Sequence, residues 1–297
     1  MKTINKTLLT FLLTTLFSID LWAQQDIMVS QQIFSRMNIN PAGTGNMKNI
    51  DAFLLGRLQW LGVDNTPKTA LLNVGYYNEG LRSSFGLTTN YDNIGIGNSQ
   101  TTVDAVYAYH LDLSEKYILS LGLSAGMNIG SFDPYANDLR DAEPDLSSYV
   151  KDKETEISPD INIGAELSSK RLMFGLSVTH LLESEPTTFK KGRHIYAYGR
   201  CLVPLSQELD LAPMVSYIHQ HQVNESEIGA TLFIKRTFWS GLTWKPDLKH
   251  ITDMSIMCVN LGMEVNIFRI GYAYSLNMGS ANNLPSNTHE ILLSAHF

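Results

Sequence analysis

Cysteine is nearly absent from this chain. Its 297 residues contain two, Cys201 and Cys258. Both fall inside strand-like runs, so a disulfide framework does not hold the fold, and each is expected as a small apolar group, buried or lipid-facing. Positive charge is also scarce: 22 Lys and Arg stand against 29 Asp and Glu, a formal net charge of −7. A chain with that balance lacks the basic footprint of a nucleic-acid-binding protein. Past the first two dozen positions no stretch approaches the roughly 20 apolar residues of a membrane helix. Motifs of chemistry are missing too. No phosphate-binding glycine loop, paired-cysteine metal site or helical His-Glu-x-x-His occurs. No catalytic residue, cofactor or metal site is therefore expected, and the chain reads as a non-enzyme.

What is present begins with a leader. Lys2 and Lys6 precede the apolar run Leu8 to Leu16, and Ala23-Gln24 offers a small residue for cleavage. Residues 1–23 are expected to be a cleaved signal peptide, because the run is too short for a membrane anchor. With no cysteine beside the cut, a lipoprotein is not expected.

From Ile50 onward the sequence alternates. Leu119, Leu121, Leu123, Ala125, Met127 and Ile129 share one face of a strand, and Ser120, Gly122, Ser124, Gly126, Asn128 and Gly130 the other. Phe268 to Leu276 and Val103 to Tyr109 repeat the pattern. So does the end of the chain, where Ile291, Leu293, Ala295 and Phe297 oppose Glu290, Ser294 and His296. A strand ending on an aromatic residue is the habit of outer-membrane barrels.

Alternation alone fits either a soluble sandwich or a membrane barrel. Length and ends favour the barrel, since several runs reach the roughly 9–11 residues that cross a bilayer at a tilt. Trp60, Tyr76, Tyr77, Tyr109, Tyr117, Trp239 and Trp244 are placed as an interfacial girdle would be. The expected fold is all-β, a transmembrane outer-membrane barrel of about fourteen antiparallel strands over residues 50–297. They are placed at 50–60, 68–77, 81–90, 99–110, 117–130, 157–167, 172–179, 194–202, 209–219, 225–233, 238–245, 253–265, 268–276 and 289–297. Every second connection is then short, as periplasmic turns are. The longest, at 131–156, 180–193 and 277–288, take the extracellular parity. Pro213 is a misfit inside its run, so a bulge or a strand boundary is expected there.

Residues 24–49 do not alternate. They lead into Asn40-Pro41-Ala42-Gly43-Thr44-Gly45, a turn of restricted and permissive residues. The segment is expected either in the periplasm, meeting a partner, or folded into the lumen. Asn40, Pro41, Ala42 and Gly43 are accordingly candidate partner-binding residues. The connection from Ser131 to Glu156 is rich in carboxylates, and Asp133, Asp138 and Asp141 are candidates for contact with an extracellular cargo. That stretch lacks the ordered spacing of a calcium loop and reads otherwise as a solvated surface. His219 and His221, followed by Glu225 and Glu227, have the donor types of a metal site on a strand end and read otherwise as a solvated loop with its imidazoles in water. Thr179-His180 and Ser294 with His296 lack evidence of the nucleophile–base contact that catalysis needs. Asp104, Glu166, Glu264, Arg269 and Glu290 are expected to face the lumen and pair there.

Gln25-Asp26, Phe34, Asn40-Pro41-Ala42, Arg57-Leu58-Gln59-Trp60, Pro67 and Asn90 to Gly95 resemble the PorP/SprF family of Bacteroidetes type IX secretion and gliding proteins. The likeness extends through Tyr107 to His110, Leu119 to Gly126, Pro159 to Gly164 and Gly175 to Val178. Where the family commonly has Asn-Pro-Ala-Tyr-Ala-Gly, this chain has Asn-Pro-Ala-Gly-Thr-Gly. The resemblance implies a barrel in the outer membrane that supports secretion or surface anchoring of adhesin cargo. Its implied partners are type IX components and envelope lipoproteins in the periplasm, and the C-terminal domain of the cargo. A channel for small solutes is the alternative, for which the small lumen residues Gly122, Ser124, Gly126 and Gly271 leave room.

Overall fold

In the computed structural model, alternating residues become strands that close on themselves. The structure describes residues 29–45, 49–63, 65–93, 95, 97–133, 153–182, 191–220, 223–246, 254–279 and 287–297. The strands are β1 (Ile50–Leu58), β2 (Lys68–Asn78), β3 (Ser83–Asn93), β4 (Asn98–Asp112), β5 (Ile118–Phe132), β6 (Glu154–Ser168) and β7 (Leu172–Thr179). They continue with β8 (His194–Cys201), the two-residue β9 (Val203–Pro204), β10 (Leu209–Gln220), β11 (Val223–Ile234) and β12 (Phe238–Pro246). β13 (Met254–Val265), β14 (Phe268–Gly279) and β15 (Thr288–His296) complete the set. β9 prolongs β8, so the wall is a closed antiparallel barrel of 14 strands. Closure runs through β1 and β15, with Asp51 opposite His296 and Leu54 opposite Leu293.

Burial decides between sandwich and barrel, because the apolar face looks outward. Leu121, Leu123 and Met127 are 45%, 48% and 49% exposed, whereas Ser120, Ser124 and Asn128 between them are buried. A soluble sheet would bury the leucines. An outer surface that is apolar along every strand, over a polar interior, suits lipid.

The strand ends fall within three residues of their expected positions, since turn residues and loss of alternation mark them. Three expectations are corrected. Trp239 is 3% exposed and faces the interior, and Tyr77 turns its ring toward the buried His110, so neither belongs to a girdle. Pro213 makes no bulge. Met214 lies opposite Arg200 and Leu211 opposite Val203, three residues on in each strand, so the register is kept. Proline lacks the N–H for this ladder, and the wall is interrupted there between β8 and β9. The pairing of β10 with β11 continues unbroken, Pro213 opposite Ala230.

The interior is not uniformly polar. Phe53, Leu55, Leu71, Trp239 and Leu292 point inward and form an apolar cluster with Val29 and Phe34, residues that precede the barrel. β1 carries Phe53, Leu54 and Leu55 in succession and so is apolar on both faces.

Candidate functional site

Residues 29–45 meet inward-facing side chains of the wall. Their local fold follows from Asn40-Pro41-Ala42. Proline at the first position of a single 3-10 turn has its φ preset and no N–H to satisfy. The Asn40 side chain caps that turn, its Oδ1 accepting from the Ala42 N–H at 2.9 Å. Thr44 closes the other end, its hydroxyl donating to the Pro41 carbonyl at 2.8 Å.

The cap also holds the wall. Asn40 Nδ2 donates to the Tyr198 hydroxyl at 3.1 Å and to the Ala165 carbonyl at 3.2 Å. Tyr198 in turn donates to Glu166 Oε2 at 2.5 Å. Arg36 grips the same carboxylate in two bonds, Nε to Oε2 at 2.8 Å and Nη2 to Oε1 at 3.1 Å. Paired forks of this kind are the strong charged hydrogen bonds. Burial alone would lower the Arg36 pKa, but the Glu166 carboxylate and its hydrogen bonds oppose that, and the net effect holds it above the ordinary arginine value. The Ser177 hydroxyl donates to the Ile39 carbonyl at 2.6 Å, and Asn73 Nδ2 donates to the Ser35 hydroxyl at 2.7 Å.

Gly122 and Gly164 let the Asn40-Pro41-Ala42 turn approach the wall closely. A Cβ on Gly122 of β5 would run into the backbone of Pro41 and Ala42, and one on Gly164 of β6 into the Asn40 side chain. The start of the segment is held separately. The Ser30 N–H donates to both oxygens of Glu290, at 3.0 and 2.9 Å, and Arg57 lies 3.6 Å from the same carboxylate. Phe34 packs on Trp239 with ring centroids 4.7 Å apart, and the Arg269 guanidinium sits 5.0 Å over the Phe34 ring.

A second buried network lies farther along the interior, toward the long connections. Asn162 Nδ2 donates to Ser124, Asp104 and Asp160 at 2.8, 3.3 and 3.2 Å, and its Oδ1 accepts from the His180 N–H at 2.7 Å. His180 Nδ1 is 2.8 Å from Asp160 Oδ1, and Lys191 donates to Thr102 at 2.9 Å.

The residues singled out in the sequence therefore lie in different surroundings. Asn40, Pro41 and Ala42 are buried, with half-buried Gly43 beside Arg36, so in this arrangement the wall and the segment itself are what they touch. Asp133 follows β5, its N–H donating to the Gly97 carbonyl at 2.8 Å. Asp138, Asp141 and His221 lie outside the described residues. His219 is 2.7 Å from Asn224 and Glu227 pairs with Lys245 at 2.6 Å. His296 approaches Glu264, while His180 faces Asp160. Among the described residues no three His, Cys, Asp or Glu side chains gather to hold a metal. Of the lumen charges, Glu166 and Glu290 bind the segment and Glu264 pairs with its strand neighbour Arg269 at 2.6 Å. Arg36 and Tyr198 were not singled out. The signal was in β8, where Tyr196 and Tyr198 oppose Ile195, Ala197 and Gly199, placing bulky aromatics on the inward face.

The family described as Type IX secretion system membrane protein PorP/SprF matches residues 21–295. The chain belongs to that family. No curated protein matches it. Among solved structures, the CymD monoaromatic hydrocarbon channel is similar at 12% identity and a TM-score of 0.54, over 91% of this chain and 93% of that one. The toluene transporter TbuX of Ralstonia pickettii is similar at 10% identity and 0.54, over 88% and 93%. Omp33 of Acinetobacter baumannii is similar at 8% identity and 0.50, over 86% and 100%. At these identities the likeness is one of fold. The PorP/SprF chain is thus a secretion-system membrane protein built as an outer-membrane-type barrel.

Proposed function

We propose that this PorP/SprF barrel is a non-enzymatic partner of the type IX machinery, supporting secretion or surface anchoring of adhesin cargo. The match over residues 21–295 carries the reading. On this reading residues 1–23 are a signal peptide, both barrel termini face the periplasm, and the long connections face outward. Type IX components and envelope lipoproteins are the periplasmic partners, and the cargo's C-terminal domain meets the barrel. Asp133, Asp138 and Asp141 are the proposed outer contacts. Asn40, Pro41, Ala42 and Gly43 act on a partner only when the segment leaves the wall, which makes them a latch rather than a standing surface.

A small-solute channel is the second reading, favoured by the fold shared with the two hydrocarbon-transporting barrels. The segment at 29–45 counts against free passage, because Arg36, Asn40 and Ser30 bridge it to three parts of the wall.

Purification from the native outer membrane in mild detergent, with an unrelated barrel as control, tests the first reading. Stoichiometric recovery of envelope lipoproteins or a large surface protein is expected. A lone barrel overturns the partner role.

A further inference from the structure

Between the interior segment and the wall formed by β7, β8 and β10 lies a cavity that none of these bonds fills. Counting the solvent at its open mouth, about 620 Å³ there is free of protein atoms. Its lining is mostly apolar, with Ile39 from the segment, Met173 from β7, Tyr196 from β8, and Met214 and Ile218 from β10.

The charges at its margin do not balance. Arg36 is committed to Glu166, and Glu227 to Lys245 and Ser216. Arg200, half-buried on the inward face of β8, has no hydrogen-bond or ion-pair partner among the described residues. Its charged neighbours are Arg36, Glu166 and Arg269. Glu166 already serves Arg36 and Tyr198, and Arg269 is held by Glu264. A guanidinium drawn out of water without an acid loses hydration and gains little in return. An anion seated in the cavity would supply the missing partner in a charged, fork-shaped hydrogen bond.

We infer that this cavity is a binding site for a small anionic amphiphile, with an apolar chain against Ile39, Met173, Tyr196 and Ile218 and a carboxylate on Arg200. A neutral hydrocarbon would fill the walls but leave Arg200 as it is, so the charged ligand is preferred.

The test uses the full barrel in phosphatidylcholine nanodiscs, with dansyl-labelled undecanoic acid as probe and empty nanodiscs as background. Saturable binding at one site per barrel is expected, displaced by decanoate at least about tenfold better than by decanol. Arg200→Gln is expected to weaken the probe about tenfold or more. Ile218→Trp, which fills the cavity and keeps the arginine, abolishes binding. Circular dichroism of each variant shows whether the barrel has formed. Binding no better than empty nanodiscs overturns the site. Equal displacement by decanol, or full affinity in folded Arg200→Gln, overturns the anionic ligand. Undiminished binding in folded Ile218→Trp places the probe elsewhere and overturns the cavity.

Discussion

At the scale of the residue, Glu166 joins the segment to the wall. It is fully buried and accepts from Arg36 twice and from Tyr198 once. Buried ion pairs are weak evidence for stability when formed, but removing one partner strands the other. Glu166→Gln leaves the Arg36 guanidinium without a counter-charge at the cost of about 3–5 kcal/mol. Equilibrium unfolding in detergent micelles is expected to show that loss. Arg36→Met combined with Glu166→Gln removes the stranded charge, so the double variant is expected to be more stable than Glu166→Gln alone. A double variant that loses the sum of the two singles would mean that the pair does not couple.

At the scale of the element, the segment has a second hold in Phe34. Phe34→Ala empties the space between Trp239 and Arg269 at a cost of about 3–5 kcal/mol. Water reaching Trp239 is expected to shift its emission to the red, and Phe34→Ala made in a Trp239→Phe background loses that shift. Pro213 marks the opposite case. Pro213→Ala regains one ladder hydrogen bond, about 0.5–1.5 kcal/mol, and gives back the proline's restriction of the unfolded chain, about 0.4–1 kcal/mol. The two nearly cancel, so the free energy from equilibrium unfolding in detergent micelles is expected to stay within about 1 kcal/mol of the parent's. Strands such as β5 were legible because alternation reports a two-sided environment at every residue. Trp239 and Tyr77 were misplaced because aromatic position along a strand says nothing about face unless parity is followed. The apolar pair Phe53 and Leu55 had a readable cause, a strand apolar on both sides, which requires something to cover its inner face. What covers it, Val29 and Phe34, lies in a segment without period, and no local pattern joins residues hundreds of positions from Leu292.

At the scale of the whole molecule, the question is whether the lumen conducts while the segment is seated. Arg36, Asn40, Ser30 and Phe34 anchor it to β6, β8, β12 and β15, and these anchors span enough of the circumference to oppose open flow. Gly122 gives a way to displace the turn without touching an anchor. Gly122→Val drives a branched side chain into Pro41 and Ala42, and a sheet wall paired on both sides yields less readily than a single turn. Ala125 lies on the outer face of the same strand and is exposed, so Ala125→Val adds bulk to β5 without meeting the segment. In planar bilayers the parent and Ala125→Val are expected to show little steady conductance, and Gly122→Val discrete open steps. Steps of equal size in all three would make the seated segment no barrier and return the solute channel to first place. If none conducts, although protease cuts the segment in Gly122→Val and not in the parent, the Asn162–Asp160–His180 network farther along the interior becomes the element that closes the lumen.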